Sequence, residues 1–326
     1  MIARRALPFR ALPFLALPFL ALPALAQGWA PERPMRLIVP FTPGGSTDII
    51  ARVVAQRLSV LLGQTIVVEN RPGAGGTIGA DQVAKAAPDG HTLLMGHIGT
   101  LAVNPGLYPR LPYDYQRAFA PICLVATVAN FLAVTNSLPV RTVAEFLALA
   151  RRDPGGITYG SGGNGSATHI AVSALQEAAG VRFTHVPYRG TAPMMTDLIS
   201  GQIQMTMTGG PPALPPIRAG QIRALGVSAL APVKAAPQIP AIAATVPGFE
   251  ALQWYGVVGP AGMPAAAIAR INQAIHTLLA EPETRARLEP EAADPAAGTP
   301  EAFGDFIRAE QERWGALIRR AGVRAE

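Results

Sequence analysis

Short apolar runs alternate with segments of helical periodicity along most of the chain. Met35–Phe41 is a short apolar run of the kind that forms a buried strand. Ser46–Leu62 carries apolar residues at helical spacing and is followed by Gly63, a common helix stop. This alternation predicts an α/β fold in which mainly parallel sheets are flanked by helices on both faces.

Further elements are predicted up to the C-terminal helix, where the strict alternation gives way to successive strands and then two helices. The predicted strands are Met35–Phe41, Thr65–Val68, Thr92–Met95, Ile122–Thr135, Ile157–Tyr159, Phe183–Pro187, Ile203–Thr208, Ile222–Ser228 and Gln253–Gly259. The predicted helices are Ser46–Leu62, Thr77–Ala86, Thr142–Arg151, Ser166–Ala179, Pro193–Ser200, Pro264–Ala280 and Pro300–Ala321.

The pattern restarts near the middle of the chain, which indicates two structural units. Ile122–Thr135 is a strand-forming run long enough to cross from one unit to the other, and Gln253–Gly259 lies where a return crossing is needed. Two α/β units joined by crossing strands predict a two-lobed clamshell. We assign residues 27–126 and 255–326 to lobe 1, and residues 127–254 to lobe 2.

The first 26 residues have the pattern of a secretory signal peptide. Arg4, Arg5 and Arg10 precede an apolar run at residues 11–22, and Ala24-Leu25-Ala26 forms a small-x-small cleavage site. Cleavage is expected before Gln27, which implies export; the alternative is a retained N-terminal anchor. Loss of these three arginines reduces the formal net charge from +6 to +3.

Composition excludes several classes of protein. Hydrophobic residues make up 49% and charged residues 15%, which permits a large core and excludes a disordered chain. The single cysteine, Cys123, excludes an intrachain disulfide framework and a cysteine-based zinc cluster. The five histidines show no metal-binding spacing. No metal or other cofactor is therefore expected. The net charge of +3 that remains after cleavage gives little reason to expect a nucleic-acid partner.

A glycine-rich loop joins the first predicted strand to the first helix. It contains Phe41, Thr42, Gly44, Gly45 and Asp48. Free backbone N–H groups and the dipole at a helix start bind anions, and glycine lets a ligand approach the main chain closely. The loop is a candidate carboxylate site, or an ordinary tight turn. Asp48 either caps the helix or receives an ammonium group.

Two further glycine-rich loops suggest enzyme or nucleotide functions only weakly. The loop at residues 70–79 has the spacing GxGxxxG instead of GxGxxG, which argues against dinucleotide binding. The loop at residues 160–169 contains Ser161, Ser166 and His169 at a predicted helix start. Neither serine fits GxSxG, so a hydrolase that combines one of them with His169 and Asp197 is a minor alternative.

Several motifs, taken in order, resemble one family over about residue 30 to the C-terminus. They are Ile38-Val39-Pro40-Phe41 with Pro43-Gly44-Gly45, Val68–Gly76, Ala87–Leu94, Asn104-Pro105, Val186-Pro187-Tyr188-Arg189-Gly190 and Gly259–Pro264. Together they resemble the Bug (TctC-like) family of periplasmic solute-binding subunits of tripartite tricarboxylate transporters. The resemblance departs from the family pattern at Arg189, where lysine is frequent.

The resemblance implies a Venus-flytrap fold and periplasmic capture of a small carboxylated solute without catalysis. It implies delivery to the membrane subunits of the transporter, and we expect a monomer. The alternatives are a sensor that presents the ligand to a signalling partner and, less favoured, a periplasmic hydrolase. The ligand class stays open among dicarboxylates, tricarboxylates, amino acids and aromatic acids. The predicted ligand-binding residues are Phe41, Thr42, Gly44, Gly45, Asp48, Thr100, Ser161, Ser166, His169 and Tyr188.

Overall fold

The computed structural model describes residues 28–322, so the predicted signal peptide lies outside the described residues. The strands are β1 (Met35–Val39), β2 (Ile66–Asn70), β3 (Thr92–His97), β4 (Phe119–Val128), β5 (Asn130–Thr135), β6 (Thr158–Ser161), β7 (Thr184–Pro187), β8 (Met205–Gly209), β9 (Ile222–Val227), β10 (Gln253–Pro260) and β11 (Ala293–Pro295). The helices are α1 (Ser46–Leu62), α2 (Thr77–Ala84), α3 (Asn104–Leu107), α4 (Val143–Arg152), α5 (Ala167–Ala179), α6 (Thr191–Ser200), α7 (Gly210–Arg218), α8 (Ala265–Ala280), α9 (Pro282–Leu288) and α10 (Pro300–Ala321).

The strands form two sheets. The first has the order β11-β4-β10-β3-β1-β2 and the second has the order β7-β6-β8-β5-β9. β1 pairs in parallel with β2 and β3, and β6 pairs in parallel with β7 and β8. β10 is antiparallel to β3 and β4, and β5 is antiparallel to β8 and β9. The two-lobed α/β class is confirmed, but the sheets are mixed and not mainly parallel.

The antiparallel pairs arise from the strands that connect the sheets. The predicted run Ile122–Thr135 is divided at Ala129: Val128 still pairs with Gln253 in the first sheet, whereas Asn130 pairs with Gly209 in the second. β4 leaves the first sheet toward the second and β10 returns from it, so the two run in opposite directions side by side. The proposed lobe bounds at residues 126/127 and 254/255 fall within this crossing and remain a prediction.

Local sequence signals account for the principal helices. The apolar stripe of α1 is buried through Ile50, Val54 and Leu58, and Gly63 ends the helix in the left-handed conformation at φ 70°. Thr142 caps α4, as predicted, by accepting the Glu145 N–H at 3.1 Å. None of the described helices is long and apolar enough to cross a membrane.

Sequence reasoning missed several short elements. The segment that forms α7 reads GPPALPPIR, and its four prolines argued against a helix. Pro211 and Pro212 lie in the first turn, where proline is tolerated because its missing N–H would have no partner there, whereas Pro215 and Pro216 lie inside this nine-residue helix. The helical turns at Gly99–Leu107, helix α9 and strand β11 were also missed, because each is too short to show a clear period.

Candidate ligand-binding site

A cleft lies between the loops that leave the two sheets. It is formed where β1, β3, β6, β7 and β8 end, with β10 along its floor. Ligands of α/β sheets bind at such carboxyl ends of strands, beside helix starts. The lining residues are Phe41, Thr42, Gly45, Ser46, Thr47, His97, Gly162, Ser166, Ala167, Thr168, Gly190, Thr191, Thr208, Gln253 and Tyr255.

The first turns of α1, α5 and α6 converge on this cleft. Ser46 and Thr47 begin α1, Ala167 and Thr168 begin α5, and Thr191 begins α6. Backbone N–H groups in a first turn have no acceptor inside their own helix. Each helix start also carries roughly half a positive charge from the aligned peptide dipoles. The main chain therefore provides an anion-binding environment from both sides of the cleft.

The lining residues of the cleft contain no Asp, Glu, Lys or Arg among the residues that the structure describes. Instead, hydroxyl groups predominate. They belong to Thr42, Ser46, Thr47, Ser166, Thr168, Thr191, Thr208 and Tyr255. Positive potential in the cleft thus comes from helix starts, and hydrogen-bonding capacity comes from hydroxyls, the amide of Gln253 and the ring of His97.

His97 is a neutral hydrogen-bond donor at the end of β3. The Gly99 N–H donates to Nδ1 of His97 at 2.8 Å, so Nδ1 carries no proton and Nε2 carries the ring proton. Burial lowers the pKa of His97 to about 4, which keeps the ring uncharged at neutral pH. The side chain is 4% exposed, lines the cleft and packs with a ring-centroid distance of 4.5 Å against Phe41.

A chain of hydrogen bonds connects the cleft floor to the crossing segment. Tyr255 donates to Oε1 of Gln253, and Nε2 of Gln253 donates to Oδ1 of Asn130. The amide of Asn130 donates in turn to the backbone carbonyl of Ala251. The chain joins β10 to the start of β5. Because both ends of the Gln253 amide are engaged, its orientation in the cleft floor is determined by the crossing strands.

Four of the predicted binding residues line the cleft: Phe41, Thr42, Gly45 and Ser166. Ser166 also caps α5 by accepting the His169 N–H at 3.3 Å. Gly45 has an ordinary extended conformation, and the left-handed residue of the pair is Gly44 at φ 81°. The position that requires glycine for its backbone conformation is therefore Gly44, one residue before the N-cap of α1.

Asp48 holds the first loop together and does not line the cleft. Its carboxylate accepts the Gly44 N–H at 3.0 Å, a bond from the side-chain amide of Asn70 at 2.9 Å, and bonds from Arg52. Burial by itself raises the pKa of Asp48, but these bonds and the Arg52 charge outweigh it and lower that pKa. The sequence suggested a helix cap or an ammonium partner for Asp48, and the structure shows a third role, in which its carboxylate stabilises the loop that precedes α1.

The other predicted residues are not among the described residues that line the cleft. The Ser161 hydroxyl is 2.7 Å from Nε2 of His185, and the His169 ring stacks on His185 at 4.2 Å between centroids. Tyr188 donates to Asp197 at 2.6 Å. The Thr100 hydroxyl donates to the carbonyl of His97 at 3.0 Å. These contacts shape the loops that carry the lining residues.

The arrangement does not form a serine-hydrolase triad. Ser161 is paired with His185 and not with His169, while the Asp197 carboxylate is engaged by Tyr188. Burial and the neighbouring His185 lower the pKa of His169 to about 3. In the part of the chain that the structure covers, no group of three or more histidine, cysteine, aspartate or glutamate side chains is placed to hold a metal ion.

Sequence reasoning missed several lining residues that lie outside the glycine-rich loops. His97, Thr191, Thr208, Gln253 and Tyr255 come from four separate segments, since Gln253 and Tyr255 both lie on β10. His97 follows a predicted strand and Thr191 follows a glycine at a predicted helix start, so position relative to an element would have signalled these two. Nothing local distinguishes Thr208, Gln253 or Tyr255 from ordinary strand residues.

Fold and cleft together define a class, the two-lobed periplasmic solute-binding proteins. A family model described as the tripartite tricarboxylate transporter family receptor matches residues 50–323. The chain belongs to this family, so the resemblance seen in its motifs is confirmed. Its family and its similar structures are solute-binding proteins and not enzymes.

Curated relatives and solved structures match nearly the full length. The UPF0065 protein in the tcbD-tcbE intergenic region of Pseudomonas sp. (strain P51) is 40% identical, covering 88% of this chain and 86% of its own. BugT of Bordetella pertussis is 34% identical, and the match covers 90% of this chain and 91% of BugT. Rpa4515 of R. palustris, solved with adipate, is 37% identical and has a TM-score of 0.87. The match covers 90% of this chain and 99% of Rpa4515. MatC of Rhodopseudomonas palustris, solved with bound malate, is 31% identical with TM-score 0.83, covering 88% and 99%.

Proposed function

We propose that this protein captures a small carboxylate in the cleft and delivers it to the membrane subunits of a tripartite tricarboxylate-type transporter. The observation that carries the proposal is the convergence of the α1, α5 and α6 starts on a cleft whose described lining has no charged side chain. Such a site attracts an anion and, lacking a catalytic triad, binds it without changing it. Adipate and malate in two similar structures support this chemistry.

The two sides of the cleft offer separate sets of donors. The start of α1 contributes backbone N–H groups and the hydroxyls of Ser46 and Thr47, and the start of α5 contributes those of Ser166 and Thr168. Each hydrogen bond to a charged group is worth about 1.5–3 kcal/mol. A ligand that contacts both sets stabilises the closed arrangement of the lobes, which is the form that a membrane partner would recognise.

The location follows from the same proposal. Residues 1–26 have the signal-peptide pattern, and the family consists of receptors for a membrane transporter. We therefore place the mature protein, from about Gln27, in the periplasm as a monomer. Mass spectrometry of a periplasmic extract should find an N-terminus near Gln27, whereas an intact Met1 would contradict export with cleavage.

A thermal-shift screen tests carboxylate binding directly. Purified mature protein is mixed with mono-, di- and tricarboxylates of two to eight carbons, with the corresponding amides as uncharged controls. A carboxylate present at one hundred times its dissociation constant should stabilise the folded state by about 2.7 kcal/mol. If no carboxylate raises the melting temperature and calorimetry detects no binding, carboxylate capture is excluded.

Replacement of Gly190 by alanine should weaken carboxylate binding at least tenfold, equivalent to about 1.4 kcal/mol. A Cβ at Gly190 would lie 2.2 Å from the Thr42 hydroxyl, which belongs to the loop after β1 on the other side of the cleft. The added methyl group would displace the side chain of Thr42, which lines the cleft, and would strain the backbone at φ 116°, so the donors of the two loops would no longer be placed for one ligand. Calorimetry with the best carboxylate from the screen measures the change.

Gly180→Ala is the matched control for this substitution. Gly180 also has a positive φ, 62°, but a Cβ there meets no atom within 4 Å. It should therefore lower stability by about 1 kcal/mol while leaving affinity unchanged. Equal affinities for wild type and Gly190→Ala would show that the loops after β1 and β7 do not close on the ligand.

A further inference from the structure

We propose that the free edge of strand β9 binds an extended, acidic segment of a partner protein as an additional strand of the second sheet. The site is a surface groove of about 520 Å³ beside that edge, and it shares no lining residue with the ligand cleft. The inference is therefore independent of the proposed capture of a carboxylate. It follows from the unpaired sheet edge, the charge of the groove and the charge of the unit that carries both.

β9 is an edge strand that is covered only at its C-terminal end. It pairs with β5 on one side, from Ile222 to Val227. On the other side, Val227 forms a bridge with Ala241, and its N–H donates to the carbonyl of Pro240. No second strand lies beside residues 222–226 in the part of the chain that the structure describes. Such an edge presents backbone N–H and C=O groups that can pair with another chain.

The other three sheet edges are protected in ways that β9 is not. β7 and β11 are four and three residues long and contain Pro187 and Pro295, which cannot donate to a ladder. β2 carries Glu69, which accepts hydrogen bonds from Arg36 and Arg71. β9 has six residues and no proline. A free edge of this kind is a template for strand pairing, so a specific partner would also prevent unwanted pairing there.

The groove beside this edge is positively charged. Its lining includes Arg141 and Arg223 and, among the described residues, no aspartate or glutamate. The Arg223 guanidinium donates to the carbonyls of Leu138 and Val140 at 3.3 and 2.9 Å, so it is held in place without being neutralised. The carboxylate of Glu145, on α4, accepts the backbone N–H of Arg141. The two guanidinium groups can therefore form charge-assisted hydrogen bonds with carboxylates of a bound segment.

The net charge of the chain is concentrated in the unit that carries this groove. Residues 127–254 contain seven arginines and one lysine but five acids, a formal charge of +3, whereas the rest of residues 27–326 is formally neutral. All of the described ion pairs take their basic member from outside residues 127–254. Uncompensated charge of one sign attracts partners of the opposite sign and increases their association rate. An acidic partner is therefore complementary to this unit.

The free edge is long enough for a segment of about five residues. Residues 222–226 extend over roughly 17 Å, at about 3.3 Å per residue. Side chains of a paired strand alternate between the two faces of the sheet, so acids at every second position lie on one face. Besides the arginines, the groove offers apolar side chains at Ile217 and Ile239. The expected segment therefore alternates aspartate or glutamate with apolar residues.

An array of pentapeptides tests the inference on the purified mature protein. The peptides alternate Asp or Glu with Val, Ile or Tyr, and a matched array has Lys in place of every acid. The best acidic peptide should bind at least tenfold more tightly than its lysine counterpart, as measured by fluorescence anisotropy. If no acidic peptide binds better than its counterpart, the inference is overturned. Binding to phosphatidylglycerol vesicles without binding to any peptide would assign the surface to a membrane and would also overturn it.

Arg141→Glu and Arg182→Glu locate the binding surface. Both arginines are exposed and belong to residues 127–254, but only Arg141 lines the groove. Arg141→Glu should weaken binding of the best acidic peptide at least tenfold, and Arg182→Glu should have a much smaller effect because the same change of charge lies outside the groove. Equal losses in the two variants would show general attraction to a basic protein and not binding in this groove.

N-methylation of the best peptide tests strand pairing on the wild-type protein, so this result does not depend on the folding of a variant. In a strand added to an edge, the N–H groups of alternate residues point toward the sheet and those between them point to solvent. Two peptides are compared, methylated at the odd or at the even positions. One should bind at least tenfold more weakly than the other, because only one loses its hydrogen bonds to β9. Equal affinities of the two peptides would overturn the pairing with β9, whatever the outcome of the carboxylate screen.

Discussion

Lowering the pH from 7 to 5 is expected to reduce the free energy of unfolding by about 3–4 kcal/mol through His97 and His169. These side chains are 4% and 6% exposed, and burial lowers their pKa values to about 4 and about 3. In the unfolded chain a histidine has a pKa near 6.5. Between these values the unfolded state binds more protons than the folded state. The contribution is therefore complete above about pH 6.5 and is lost progressively as the pH falls toward 4.

Denaturant unfolding followed by tryptophan fluorescence at pH 7, 6 and 5 measures this loss. His97→Asn and His169→Asn place an amide oxygen near the position of Nδ1, which preserves an acceptor for the Gly99 and Gly165 N–H groups. Burial also lowers the pKa of His185 to about 4, so three histidines contribute and each variant should remove about a third of the pH dependence. His276→Asn, outside these sites, should remove little. A double variant that loses as much stability on acidification as the wild-type protein would refute this origin.

Carboxylates contribute to the pH dependence of stability in a different pH range. Hydrogen bonds from Arg36 hold the pKa of Glu69 at about 2, and the pKa of Asp48 is also lowered. Groups of this kind add stability above their unfolded pKa values near 4 and lose it as the pH falls further. The interval between pH 6.5 and 5 therefore reports on the buried histidines.

Glu310→Ala is expected to lower the free energy of unfolding by about 2–6 kcal/mol. One carboxylate oxygen of Glu310 accepts the indole N–H of Trp254 at 2.9 Å and that of Trp314 at 2.7 Å. Both tryptophans are 1% exposed, so alanine leaves two buried donors without a partner. Each such donor costs about 1–3 kcal/mol. The hydrogen bond from Trp254 also links α10 to the crossing strand β10.

Glu312→Ala is the control for the loss of a carboxylate from the same helix. Glu312 is exposed, and its replacement should change stability by less than about 0.5 kcal/mol. Glu310→Gln keeps an oxygen acceptor and should lose less than Glu310→Ala. If Glu310→Ala unfolds at the same denaturant concentration as the wild-type protein, the two indoles must find other acceptors.

The elements that were predicted well are those whose signals are local. Helix α10 was expected at Pro300–Ala321 and has those bounds, because its apolar positions repeat over many turns. Helix α5 begins after Ser166, whose hydroxyl supplies a cap within three residues. Strand bounds were less accurate, since they depend on pairing partners: β3 extends to His97 where its ladder with β10 ends.

The candidate site residues show the same contrast between local signals and distant contacts. The loop after β1 was identified because its glycines and hydroxyls precede a helix in the sequence, and Phe41, Thr42 and Gly45 do line the cleft. Asp48 was ambiguous because its partner Asn70 is 22 residues away. His169 was expected at the cleft, but its stacking on His185 of β7 turns it into a support for the loop.

The sequence by itself determined the two-lobed class, the family and two of the glycine-rich loops that border the cleft, because periodicity, caps and glycine-rich strand-to-helix loops act over a few residues. Only the tertiary structure decided which side chains face the cleft and which acids and acceptors are already occupied. His97, Thr208 and Gln253 meet there because strands far apart in the chain end at the same place. Burial and hydrogen bonding between such distant residues determine the charge of the cleft, and no local pattern encodes those contacts.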